Sequence, residues 1–551
     1  MRFRMILYAL FLFLPIEIHA EVASKCGTFA LEQMRGKVDF ERPAAKVVQD
    51  ATPFEEGDAL SLSAWDFFQS KSYGIETTCR WVGEHCYVFV ENTQWEDSVN
   101  AEKVESLVVA FEEHTPADPD RGIYALDTGA FGTPVERDGH DRIFIVILDI
   151  QDGGLGSYYG YVNPGEFDED GWLAPRGNQL EIVYIDCNPL DVGGAEAGAT
   201  LAHEFQHLIH YGMVSYERVW VQEGCSVYAE FLCGYKKDFG AYFLKHPGCG
   251  LAMDPFVGTL ENYDKVGLFV TYLAQHYGGD AMTSTLVARS EYGIRGVDAA
   301  LQALDCGTDF EGVFGDWVLA NYLDGAGKYG YRGFDLPAAA TELVTALPIS
   351  VNGGPIEPWA ANYVEFLVDG DVELTFFPPA PEDGYRLRSV RKEAGEAVVE
   401  DLPLDSGPEA FVLDRADTVA LVVSRIAGDD KLEYYTIEAK KAETFVWEEA
   451  HDARPRCFVL GPNFPNPFNS LTTIPFSIPA FSTGTGLVRM AVYDVLGRRV
   501  RTLVDQRLTP GTWRAVWDGL GDDGRASGSG MYCVRLRVDG MERSSRIVLV
   551  K

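Results

Sequence analysis

The stretch Ala202-His203-Glu204-Phe205-Gln206-His207-Leu208-Ile209-His210-Tyr211, with Trp220-Val221-Gln222-Glu223-Gly224 shortly after it, decides how this chain is read. The residues before it, Gly193 to Leu201, are small and helix-compatible, and Phe205, Leu208 and Ile209 give a helix its apolar side. Gly212 then offers a stop. On such a helix His203 and His207 project from one face, about 6 Å apart along the axis. Two neutral ring nitrogens at that spacing reach a single zinc ion, whose bonds to nitrogen are about 2.0–2.1 Å long. Glu204, beside the first histidine, is placed to act as general base on a water without ligating the ion. The pattern reads as the zinc site of a peptidase.

A catalytic zinc keeps three protein ligands, so the third one decides the subclass. In one class the motif continues to Gly-x-x-His, and the glycine turns the chain so that a further histidine reaches the metal. Those two positions here are His210 and Met213, which excludes that route. His210 itself lies about 5 Å further along the same helix, too far to share the ion, and reads as a packing residue. Glu223, sixteen residues after His207, is the better candidate. It opens a second amphipathic run, Glu223 to Leu232, whose first turn faces the first helix across a short connection.

His203-Glu204-x-x-His207 followed by Trp220-x-x-Glu223-Gly224 resembles the gluzincin metallopeptidases, and the wording of both segments is similar to the hyicolysin-like secreted bacterial branch. The resemblance implies a zincin-type α+β catalytic domain in which His203, His207 and Glu223 bind Zn2+ and Glu204 is the catalytic base. In such enzymes a tyrosine or histidine outside the motif often donates to the oxyanion; Tyr228, Tyr263, Tyr272 and His276 are the candidates here.

The rest of the chain sets the context. Met1–Ala20 carries Arg2 and Arg4 ahead of the short apolar run Met5 to Leu14, the pattern of a cleaved export signal. No other stretch is long and apolar enough to cross a membrane, so the mature chain is expected to be secreted or held at the cell surface. A net charge of −37, from 46 basic and 83 acidic residues, argues against a nucleic-acid partner. Ten cysteines in an exported chain permit disulfides; Cys79 and Cys86, flanking a hairpin tip, form the expected pair. Cys225 and Cys233, eight apart on one helix, cannot bridge each other. The acidic run Glu136 to Asp141 lacks the pattern of a calcium loop and reads as a turn.

Length suits three or four domains. An N-terminal α+β region at 21–135 carries a strand-like run at Cys86–Val90 and a helix-like one at Val104–Phe111. The peptidase domain at 136–345 is expected to hold buried strands at Arg142–Ile150 and Glu181–Asp186, and further helices at Leu268–Tyr277 and Phe310–Tyr322. A Gly- and Tyr-rich loop, Gly153 to Tyr161, is suited to shaping a cleft, and an edge strand near the metal would align a peptide by β-addition. Alternating runs such as Asn362–Val368 and Thr418–Ser424 predict an all-β sandwich at 346–445. After a linker at 446–462, residues 463–551 read as a small all-β module. Its segments Pro465-Asn466-Pro467-Phe468-Asn469, Val492-Tyr493-Asp494-Val495-Leu496-Gly497, Trp517-Asp518-Gly519 and Val548-Leu549-Val550-Lys551 resemble the C-terminal sorting domains of the type nine secretion system. That resemblance implies an immunoglobulin-like fold and an outer-membrane secretion partner.

The functional expectation is a secreted zinc endopeptidase acting on proteins or peptides. Two other classes remain open: an exopeptidase of the same metal class, and a non-catalytic surface or adhesion protein that keeps a zinc fold.

Overall fold

The computed structural model describes residues 26–33, 52–154, 158–167, 177–214, 216–253, 258–368 and, with short interruptions, 370–550. The expected export signal at 1–20 lies outside them. The architecture is a mixed α/β lobe followed by two β-sandwiches.

The first lobe begins with a short helix α1 (Thr28–Gln33) and a β-hairpin, β1 (Ala59–Asp66) and β2 (Lys71–Val82), leading into β3 (Cys86–Glu91). Helices α2 (Ala101–Glu112) and α3 (Ile123–Phe131) follow, then β4 (Ile143–Leu148), β5 (Gly160–Tyr161) and β6 (Ile182–Asp186). The helical half comprises α4 (Ala195–Met213), α5 (Val219–Leu232), α6 (Leu260–Tyr277), α7 (Asp280–Val287), α8 (Ile294–Ala303) and α9 (Phe310–Leu323). The strands form one sheet in the order β1-β2-β3-β4-β6-β5. β3, β4 and β6 run parallel, whereas β5 joins β6 antiparallel at the edge. Every residue of β4 and β6 is buried, which accounts for the unbroken apolar run of β4 and of Ile182 to Ile185 in β6.

Three expectations are corrected. The boundary at 135/136 does not exist in the fold, because β3 and β4 pair side by side across it, Cys86 opposite Ile143. Cys79 and Cys86 are unbridged: the tight turn sets Gly83 against Cys86 and leaves Cys79 opposite Phe89, three positions further on, with the two thiols in different cores. Part of the expected linker, Val446–Glu449, is a strand that pairs with Gly511–Trp517 of the last unit. The acidic run does form a turn, held by Arg137 N–H donating to Glu181 and Glu181 N–H donating to Asp138.

The first sandwich stacks a four-stranded and a five-stranded sheet around Leu374, Phe376, Leu421 and Val423. Its five-stranded sheet turns the other face to the first lobe, where Ala361, Tyr363, Ala420 and Val422 join that lobe's core. Tyr363 O–H donates to Val318 of α9 at 2.8 Å, and Arg388 Nη1 donates to Gly315 of the same helix at 2.5 Å. Thr418–Arg425 is therefore apolar on both faces instead of alternating. The last unit consists of two antiparallel four-stranded sheets closed on their own core, with Trp517 and Met490 fully buried.

A buried carboxyl under the sheet has a pH consequence. Burial lifts Glu166 to about 7, against hydrogen bonds from Gln179, Leu180, Asn178 and Tyr184 that pull it down. A carboxyl whose folded pKa is raised contributes fully below its unfolded value and loses that contribution as pH rises through the folded one. Stability should therefore fall by roughly 3 kcal/mol from pH 4.5 to above 7, and Glu166→Gln should flatten that fall in urea titrations across the range. An unchanged slope in the variant would show that Glu166 ionises freely.

Candidate metal centre

α4 carries His203, Glu204 and His207 on its buried side, and α5 carries Glu223 in its second turn. Two close approaches bring the elements together. A Cβ at Gly224 would lie 2.7 Å from Val270 and 2.9 Å from the Val266 carbonyl, so only glycine lets α5 press against α6 beside Glu223. A Cβ at Gly160 would meet Thr200 at 2.7 Å and Glu204 Cγ at 3.0 Å, so glycine also lets the edge strand β5 lie directly on α4. Trp220 anchors the start of α5 between the rings of Phe269 and Phe310. Ser226 donates to Gln206 at 2.6 Å and Tyr211 to Gln222 at 3.1 Å, tying α5 to α4 in register.

The result is a compact donor set. His203 Nε2 lies 3.2 Å from Glu223 Oε2, His207 Nε2 lies 3.6 Å from Glu223 Oε1, and Cys26 Sγ lies 3.5 Å from His207 Nε2. All four donors fall within 4.8 Å of one another, and all four residues are buried. Among the described residues, His203 Nε2 and Glu223 Oε2 find no hydrogen-bond partner, although they lie 3.2 Å apart. Buried polar atoms left in this way are rare and costly unless something else satisfies them. A tetrahedral ion with bonds of about 2.0–2.3 Å needs donors spaced about 3.3–3.6 Å apart, and the three separations from His203 to Glu223, His207 to Glu223 and Cys26 to His207 lie close to that range. The donor set could hold a metal ion.

Electrostatics agree. Burial raises the Glu223 carboxyl, but His207 and His203 outweigh it and hold it down at about 2. Burial lowers His207, but Cys26 and Glu223 outweigh it and raise it to about 10. A pocket that strongly favours a proton on a buried imidazole favours a metal cation at the same place. Glu204 is fully buried, which raises its carboxyl above the usual range while His203 and His207 draw it back.

Three residues that the sequence did not single out complete the surroundings. Glu230 Oε1 lies 2.8 Å from His203 Nδ1, the arrangement that fixes the ring and leaves Nε2 for an ion. Glu230 stands seven residues after Glu223, two turns along the same face of α5, a spacing that could have marked it. Glu230→Gln should weaken metal binding about 10–100-fold, read by competition with a chromogenic chelator. Unchanged affinity would remove Glu230 from the site. Cys26 and Thr28 had no such local signal, being 181 and 176 residues from their partners.

The four residues singled out from the sequence, His203, Glu204, His207 and Glu223, all come together. His210 does not join them: it is fully buried, burial and then His207 lower it to about 3, and it sits in the core as a neutral ring. Of the oxyanion candidates, Tyr272 donates to the Lys328 carbonyl and His276 bonds the Gly330 carbonyl. Tyr228 packs against Phe131 and Phe231. Tyr263 is the one that lines the cleft, its ring 6.3 Å from that of His203. The cleft measures about 290 Å³ and opens over His203, Glu204 and Glu230.

No protein-family model matches the chain, and no curated protein matches it. Among solved structures, PorZ, a surface component of the type-IX secretion system of Porphyromonas gingivalis, is 18% identical over 16% of this chain and 11% of its own, with a TM-score of 0.12. Dimeric latent PorU from the same organism is 10% identical over 38% and 32%, with a TM-score of 0.15. The pre-peptidase C-terminal domain of a Bacillus anthracis collagenase is 11% identical over 18% and 95%, with a TM-score of 0.15. This chain thus spans about a tenth of PorZ and about a third of PorU. At these scores the likeness carries no argument. Among the described residues, no helix is long and apolar enough to cross a membrane.

Proposed function

We propose that the chain is a zinc-dependent endopeptidase of the gluzincin kind. The observation that carries this reading is the convergence of His203, His207 and Glu223 at spacings that suit one tetrahedral ion, with Glu204 beside them. Zinc held there supplies Lewis acidity, lowering the pKa of water toward about 7 and polarising a peptide carbonyl. The chain's own groups supply the rest. Glu204, raised by burial yet next to two imidazoles, takes a proton from water and returns it to the leaving amine. Glu230 holds the His203 ring in one orientation. Tyr263, at the cleft wall, is the donor best placed to meet negative charge on the reacting carbonyl. β5, the edge strand of the sheet, is the backbone along which an extended peptide would be aligned.

Export, followed by release or attachment at the cell surface through the last β-unit, belongs to the same proposal and rests on the sorting-domain resemblance. The test is a digest of casein and of end-blocked peptides, with and without a chelator. Chelator-sensitive internal cleavage supports the reading. Stepwise loss of terminal residues would make the chain an exopeptidase instead, and no cleavage under activating conditions would leave an adhesion protein with a zinc fold.

A further inference from the structure

The segment that runs into α1 touches the centre at three points. Cys26 Sγ reaches the ligand cluster, 3.5 Å from His207 Nε2. The backbone at Cys26 bridges Gly160 of the edge strand, with Gly27 N–H donating to the Gly160 carbonyl at 2.8 Å. Thr28 Oγ1 donates to Glu204 Oε2 at 2.8 Å while accepting the Val162 N–H at 2.7 Å. Cys26 and Thr28 are each only 1% exposed, and Leu31, fully buried among Trp65, Tyr161 and Tyr184, pins the helix that follows.

Each contact takes a place that peptide hydrolysis needs. A catalytic zinc site leaves one position open for water, whereas four protein ligands make a closed, structural one. With Cys26 the ligand count here is four, so the thiol stands where that water would bind. The Thr28 hydroxyl uses the Glu204 oxygen that would accept the water's proton. The bridge to Gly160 uses the strand edge on which a substrate backbone would lie.

We infer that the segment Cys26–Gln33 is a built-in inhibitor: Cys26 closes the metal centre as fourth ligand, Thr28 engages the base, and the enzyme is latent until this segment is displaced. The inference rests on the zinc-peptidase reading and adds its regulation. On coordination the thiol gives up its proton to solvent, and on opening the thiolate leaves and one water enters. The ligand number stays at four, and nothing is oxidised or reduced.

The test uses the full chain loaded with cobalt(II) in place of zinc. Thiolate bonded to cobalt absorbs in the near ultraviolet, so the parent protein should show that charge-transfer band. Cys26→Ser and Cys26→Ala should lose it while still binding one cobalt per chain; the serine variant keeps the volume of the site and guards against misfolding. With zinc restored, both variants should cleave a peptide at least about tenfold faster than the parent, the increase expected if a tenth or less of the parent is open at any time. An organomercurial should raise the parent to the same rate and leave the variants unchanged. A parent that binds cobalt without the band would overturn Cys26 as a ligand. Variants that lose the band yet cleave no faster would make the thiol part of a structural centre and overturn latency. Failure of the underlying reading looks different: no stoichiometric metal in any of the proteins, or cleavage by Cys26→Ala that survives the additional change Glu204→Gln.

Discussion

Glu204→Gln should leave the chain folded with its metal bound and lower peptide hydrolysis by about 10²–10⁴-fold, the usual contribution of a positioned general base. The substitution keeps the shape of the side chain and can still accept the Thr28 hydroxyl, so packing around α4 is preserved. What it removes is the ability to hold a proton. Glu204 is not among the clustered ligand donors, so metal content should not change. Metal analysis and cleavage assays on one preparation, opened by thiol capture, separate the two roles. Full activity in the glutamine variant would end the proposed mechanism. Loss of metal together with activity would make Glu204 a ligand and not a base.

Glu223→Ala should act on the metal and on the fold at once. Glu223 is 1% exposed and is the only carboxylate among the four converging donors. Its loss leaves His203 and His207 buried without the anion that faces both of them. Breaking one partner of such a buried charged set costs about 3–5 kcal/mol, and loss of an ion that binds only the native state adds to it. The variant is expected to hold no stoichiometric zinc and to unfold at clearly lower denaturant concentration. Chelation of the parent should move its unfolding in the same direction, and by less, because the carboxylate remains. A variant that retained zinc at parent affinity would exclude Glu223 from the ligand set.

How much of this was legible in the sequence follows from the range of the interactions. The two helices of the centre show in local periodicity, and Met213 in place of a histidine directs attention to Glu223 without any tertiary information. Strands β4 and β6 are equally plain, because a strand buried on both faces writes itself as an unbroken apolar run. Pairing across 57 residues leaves no such trace, so the division at 135/136 cut through one sheet. The cysteine pair failed for a related reason: the tight turn sets Gly83 against Cys86, so Cys79 pairs further along the hairpin and its thiol enters the core on the other face of the sheet. Cys26 and Thr28 belong to a third kind. Nothing near them in the chain signals a ligand, and their meaning comes only from the strand edge and helix that they lie against.

The double-sided burial of Thr418–Arg425 bears on how the molecule comes apart. A sheet with one face in its own sandwich and the other against α9 is a shared wall, and neither side can lose it without uncovering apolar surface. The α/β lobe and the first sandwich should therefore melt in one cooperative transition, while the last unit, closed on a core of its own, melts in another. A protease that trims the C-terminal unit would leave the metal centre standing. A cut at residue 345 would not, because it would strip Tyr363 and Arg388 from the helix that backs the centre.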